Sequence, residues 1–132
     1  MQSSSFITVS GSKVQWRSGQ WTVVNYFAEW CLPCLRELPE LNAFYQQGNV
    51  RVLGVSFDEL SLPELQQLIE RRDIRFPVLT TESATALPVS MPIVLPTTYI
   101  ISPAGEVTKT IRGEVTVERL NQAVAQSQSA DN

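Results

Sequence analysis

Cys31 and Cys34 are the only cysteines in a chain of 132 residues, and only Leu32 and Pro33 lie between them. Such a pair can ligate a metal, cross-link the chain or exchange disulfides. Zinc takes four ligands from cysteine, histidine and carboxylate. With two cysteines and no histidine, the chain cannot complete a Cys/His site alone, which leaves only a four-cysteine site shared between two copies. A disulfide stabilises by restricting the unfolded chain, and the gain shrinks with the loop it closes, so a bridge across two residues is a poor staple. Exchange needs one thiol ionised near neutral pH and a second within reach of the mixed disulfide. The C-x-x-C spacing supplies an attacking and a resolving thiol.

The elements around the pair favour exchange. WTVVNYFAEW (Trp21–Trp30) is β-branched, aromatic and nearly continuous, as a buried central strand should be. From Cys31 the period changes: Leu35, Leu38, Leu41 and Tyr45 recur every three or four residues, predicting a helix to about Gln47, with Gly48 as its stop and Pro39 inside it. Cys31 thus falls at a helix N-terminus, where unpaired N–H groups and the helix dipole stabilise a thiolate and lower the thiol pKa from its usual value of about 8.5. Cys34 sits one turn further on the same side.

The rest of the chain alternates strand-like and helix-like periods, which predicts an α/β fold. FITVSGSKVQW predicts a hairpin around Ser10-Gly11-Ser12, and VRVLGVSF (Val50–Phe57) a second buried strand. Ser61 and Glu64 form a capping box ahead of a helix with Leu62, Leu65, Leu68 and Ile69 inward. FPVLT is a short edge-like segment, and residues 83–87 fit one helical turn. TTYIIS and EVTKTIRG predict two strands joined at Pro103-Ala104-Gly105, and Thr116 caps a last helix with Val117, Leu120 and Val124 inward. We read residues 1–132 as one domain, with 1–4 and 126–132 as disordered tails.

Composition narrows the function classes. A net charge of −3 and an isoelectric point near 4.9 argue against a protein that tracks nucleic-acid phosphates. Arg71, Arg72 and Arg75 lie close together and read as a solvated helix end. No stretch approaches the ~18–20 apolar residues of a membrane span, and MQSSS shows no signal-peptide pattern.

In order, VVNYFAEWCLPC, ELPELNAFY, VLGVSFDE, FPVLT and LPTTYIISPAGEVTKTIRGEVTVERL resemble the thioredoxin superfamily, specifically its TlpA/ResA/DsbE branch of thiol–disulfide oxidoreductases. The resemblance runs from about Phe6 to Val124. It implies a thioredoxin-like α/β fold, a central mixed β-sheet flanked by helices, with an N-terminal β-hairpin. It also implies that Cys31 is the exposed attacking thiol and Cys34 the buried resolving one. Trp30 is then the aromatic packed beside them, Leu32 and Pro33 the dipeptide that tunes the potential, and Pro96 the cis-proline facing the disulfide. Leu95, Pro96 and Thr97 line the substrate-binding segment, with the Leu95 backbone pairing with the substrate chain. Glu59 matches an acidic residue that assists proton transfer at Cys34, with Asp58 the alternative if the register slips by one.

Two departures from thioredoxin stand out. Asn25 occupies the place of its buried Asp, and an amide cannot take a proton; the TlpA branch shares that Asn. In LPVSMPIVLP, prolines 88, 92 and 96 enclose Met91, Ile93, Val94 and Leu95, either a hydrophobic docking lip or a rigid cover on the core. Glu29, in the string AEWC, is expected to be exposed and minor.

The resemblance implies a protein disulfide reductase of the bacterial envelope, periplasmic or membrane-anchored, with protein thiols and disulfides as partners, apocytochrome c among the candidates. It implies a membrane electron donor upstream, a monomer, no nucleic acid and no metal, and no cofactor beyond the redox-active Cys31–Cys34 disulfide. Leu-Pro between the cysteines does not settle direction, because potentials in this superfamily span about 150 mV. The alternatives are a cytosolic general thioredoxin and a thioredoxin-fold binding or assembly module with little catalysis. Nothing in the chain resembles the peroxide-binding motif of peroxidase-type thiol enzymes.

Overall fold

The computed structural model describes residues 5–131; the tail expected at 1–4 and residue 132 lie outside the described residues. A two-stranded antiparallel hairpin comes first, β1 (Ser5–Ile7) and β2 (Lys13–Gln15), with Phe6 opposite Val14. A four-stranded sheet follows, built from β3 (Thr22–Phe27), β4 (Arg51–Ser56), β5 (Thr97–Ile101) and β6 (Val107–Arg112) in the order β4-β3-β5-β6. It is mixed: β3 and β4 run parallel, while β5 is antiparallel to both β3 and β6. The helices are α1 (Leu32–Gln46), α2 (Leu62–Arg71), the single turn α3 (Thr81–Ala84) and α4 (Val117–Asp131).

The period of two along β3 divides the interior. Val23 and Phe27 join Leu38, Leu41 and Phe44 of α1, Leu65 and Leu68 of α2, and Leu120 and Val124 of α4 in one apolar cluster. Val24 and Tyr26 join Phe6 and Trp16 of the hairpin, Leu87 and Tyr99 in another. Asn25 sits between Val24 and Tyr26 and so points toward α1.

The FPVLT segment forms isolated bridges instead of a strand, Val78 to Gly54 and Leu79 to Thr8, and thereby links β4 to the hairpin. Arg51 fastens the same corner by donating to the Gln15 and Trp16 carbonyls. Helix starts agree with the sequence: Ser61 and Glu64 make both bonds of the capping box, and Thr116 Oγ1 accepts the Arg119 N–H at 3.1 Å.

Four expectations change. The helical turn expected over 83–87 forms earlier, at Thr81–Ala84, because the Thr80 side chain caps it there. Leu62 is exposed because it is the first residue of α2, ahead of the turn that meets the core. β3 ends at Phe27, earlier than Trp30, because the chain turns there to enter α1. The tail from 126 is not disordered: α4 continues to Asp131. Ser127 bonds Thr108 at 2.9 Å, and Lys109 donates to Gln126 at 2.8 Å, so β6 holds this polar stretch in the helix.

Candidate active site

Cys31 is the N-cap of α1, with extended backbone (φ −98°, ψ 103°), and its Sγ accepts the Cys34 N–H at 3.3 Å. Pro33 lies in the first turn, where its missing N–H costs nothing. That turn carries no acidic side chain, so its donors are left to the sulfur. Cys31 and Cys34 form a disulfide. Both are buried: Cys31 keeps 6% of its surface exposed and Cys34 none. The expected exposure of Cys31 is therefore corrected to a narrow opening, because the bridge draws its sulfur into the apolar cluster with Phe27 and Leu38.

Exposed apolar side chains flank the cysteines in sequence and fill the loop before Pro96. Trp30 is 64% exposed, its indole edge-on to Phe57 (6.3 Å between centroids, 85°), and its Nε1–H donates to Asp58 Oδ2 at 2.9 Å. Leu32, Met91, Ile93 and Val94 are also exposed. The Leu95–Pro96 peptide bond is cis. Pro96 and Thr97 are buried; the Thr97 hydroxyl donates to the Val94 carbonyl at 2.7 Å, and the Pro96 carbonyl accepts the Gly113 N–H at 2.8 Å. Leu95 packs against the cluster that contains both cysteines and makes no hydrogen bond among the described residues.

Beneath the pair lies a residue that the sequence reading missed. Glu37 is one turn beyond Cys34 on the same helix face and only 1% exposed. Its Oε1 accepts from Asn25 Nδ2 at 2.6 Å, and its Oε2 accepts the Val115 N–H at 3.0 Å. Burial pushes its carboxyl up to about 7, against the two hydrogen bonds, which favour the charged form. Asn25 is fully buried; Nδ2 also donates to Thr98 Oγ1 at 3.0 Å, while Oδ1 has no partner among the described residues. The missed signal is periodic: Glu37 lies within the stripe formed by Cys34, Leu38 and Leu41.

Glu59, the residue expected to assist Cys34, is far more open to solvent than Glu37. It is exposed on the loop after β4, lines a cavity with Tyr26, Val55 and Met91, and makes no hydrogen bond or ion pair among the described residues. The chain leaves the sheet at Ser56, three residues before Glu59. Asp58 is engaged by Trp30. Glu29 is also corrected: instead of standing free, it accepts from Arg71 Nε and Nη2, both at 2.7 Å, and from Arg72 Nε at 2.9 Å.

The model of the AhpC/TSA family matches residues 1–110. The chain belongs to that family. Within it, the chain is 33% identical over 105 residues to the thiol-disulfide oxidoreductase ResA of Oceanobacillus iheyensis, a match covering 77% of this chain and 54% of that protein. It is 27% identical over 119 residues to ResA of Bacillus thuringiensis subsp. konkukian, covering 86% of this chain and 68% of that one. The chain thus spans about half to two thirds of the length of these curated relatives. The solved structure of StoA from Bacillus subtilis superposes with a TM-score of 0.78 at 25% identity, covering 90% of this chain and 93% of the other. The fold is therefore thioredoxin-like, with the mixed sheet and N-terminal hairpin that the sequence implies.

Proposed function

We propose that this AhpC/TSA-family chain is a thiol–disulfide oxidoreductase that reduces disulfides in partner proteins through Cys31 and Cys34. The observation that carries the reading is the Cys31 sulfur at the N-cap of α1, bridged to Cys34 and accepting its N–H. The relatives named thiol-disulfide oxidoreductase support it. In the reduced protein the Cys31 thiolate attacks one sulfur of a partner disulfide. A mixed disulfide forms and the partner's other sulfur leaves as a thiolate. Cys34 then loses its proton and attacks the Cys31 sulfur. The intramolecular bridge closes, the second partner sulfur leaves, and two electrons have passed to the partner. A thiol donor upstream resets the bridge.

Glu37 is the acceptor for the Cys34 proton, in place of Glu59, being enclosed, on the same helix face and half-ionised near neutrality. Asn25 serves both of its states. As a carboxylate, Glu37 accepts from Nδ2; as an acid it donates to Oδ1 once the amide turns over, which gives the unpartnered oxygen a bond. The free backbone of Leu95 pairs with the substrate chain, and Trp30, Leu32, Met91, Ile93 and Val94 receive apolar side chains flanking its cysteines. Ile93, 89% exposed, covers none of the core, which favours the docking lip over the rigid cover. The location is extracytoplasmic, with disulfide proteins of the envelope, apocytochrome c included, as the substrate class.

Cys34→Ser tests the reading. Attack by Cys31 is retained and resolution is lost, so mixed disulfides should accumulate on Cys31 in an envelope extract and dissolve with dithiothreitol. A variant that traps no protein would point to a binding module instead.

A further inference from the structure

The turn that delivers Cys31 is held from outside. The Cys31 N–H bonds the Ala28 carbonyl at 3.2 Å, which leaves Glu29 and Trp30 as the two central residues of the turn. Each is tied to the segment formed by β4, α2 and their connection. Trp30 reaches Asp58. Glu29 takes a fork from Arg71, in the last turn of α2, and a third bond from Arg72, its C-cap. One exposed ion pair contributes little, but a two-oxygen fork joined by a second guanidinium fixes the geometry of the carboxylate.

The charge has a consequence for the sulfur two residues on. Bonds from Arg71, then Arg72, hold the Glu29 carboxyl down at about 2 against the effect of burial, so it stays ionised at any working pH. Alone, this anion would oppose a thiolate at Cys31. Two guanidiniums against one carboxylate leave a single net positive charge.

We propose that Arg71, Glu29 and Arg72 form a positioning cluster for Cys31, which fixes the turn that presents the sulfur and, by its net positive charge, favours the thiolate. Glu29 and the arginines, read from the sequence as a minor carboxylate and a solvated helix end, act here as one unit. The proposal deepens the exchange reading and rests on it. The neighbouring charges are Asp58, held by Trp30, and Glu70, Asp73 and Arg75 around the end of α2, the last two paired with each other; all stay unchanged in the variants below.

The test is the Cys31 titration, followed by thiolate absorbance in the reduced Cys34→Ser protein. Glu29→Gln leaves two unpaired guanidiniums and should lower the Cys31 pKa by about 0.3 units, roughly twofold in thiolate population at a given pH. Arg71→Ala with Arg72→Ala leaves the carboxylate alone and should raise it by roughly twice as much, and both shifts should shrink in 1 M salt. Opposite signs are the signature, since a purely structural role would move both variants the same way. Arg72→Ala alone, which keeps the Arg71 fork, is the variant to read if the double one does not fold, and it should raise the pKa. Unchanged titrations, or shifts of one sign, would overturn the proposal. Disulfide reduction by the protein with both cysteines, assayed separately, tests the exchange reading. If that protein does not reduce disulfides, exchange fails while the titration still decides the charge effect.

Discussion

Glu37 puts a carboxylate where the side chain is sealed from water and one turn from Cys34. Its carboxyl sits at about 7 in the fold against an ordinary 4.5. Between those values the native state holds more protons than the unfolded chain, so stability falls as pH rises through the window, by about 3 kcal/mol in all. Glu37→Gln cannot ionise, and the urea midpoints at pH 5 and pH 7.5 should converge. Resolution of the mixed disulfide should slow by about 100-fold, and its pH profile should lose the inflection near 7. An unchanged resolution rate would return the proton to another acceptor. The cysteines were legible from type and spacing, and Asn25 from its departure. Glu37 was legible in principle, as a charge inside an apolar stripe. Glu59 was drawn from the resemblance at a strand end, and that end opens to solvent.

Among the elements, those set by local chemistry were the most legible. The capping box is one: Ser61 Oγ accepts the Glu64 N–H at 3.3 Å, and Glu64 Oε1 accepts the Ser61 N–H at 2.8 Å. Ser61→Ala should cost about 1 kcal/mol in a urea titration with the m-value unchanged; no change in midpoint would show that the start of α2 is held by packing alone. The last helix was not legible to its end. Residues 126–131 are polar and small, and nothing local requires a helix; the bonds of Ser127 and Gln126 to β6 keep them there. Likewise Glu29 looked solvated until α2 brought Arg71 and Arg72 onto it, a pairing across 42 and 43 positions of sequence.

At the scale of the molecule, the site depends on approaches between distant segments. Trp16 Nε1–H donates to the Gly105 carbonyl at 2.9 Å, which docks the hairpin on the β5–β6 turn. A Cβ on Gly105, whose φ is +89°, would lie 2.7 Å from the Trp16 ring. The segment Gly113–Val117 joins the cis-proline loop to α1: Gly113 bonds Pro96, Glu114 pairs with Arg36, Val115 bonds Glu37 and Val117 bonds Glu40. No periodicity records such contacts, so the α/β architecture could be read ahead of the structure while the network under the disulfide could not. The proposed chemistry rests on one atom, the Cys31 sulfur, as the nucleophile. The most direct measurement is the rate at which the reduced protein cleaves a protein disulfide, with Cys31→Ser beside the unmodified chain. The account predicts that the variant falls to the uncatalysed background while keeping its fold. A Cys31→Ser protein as fast as the unmodified one would contradict it.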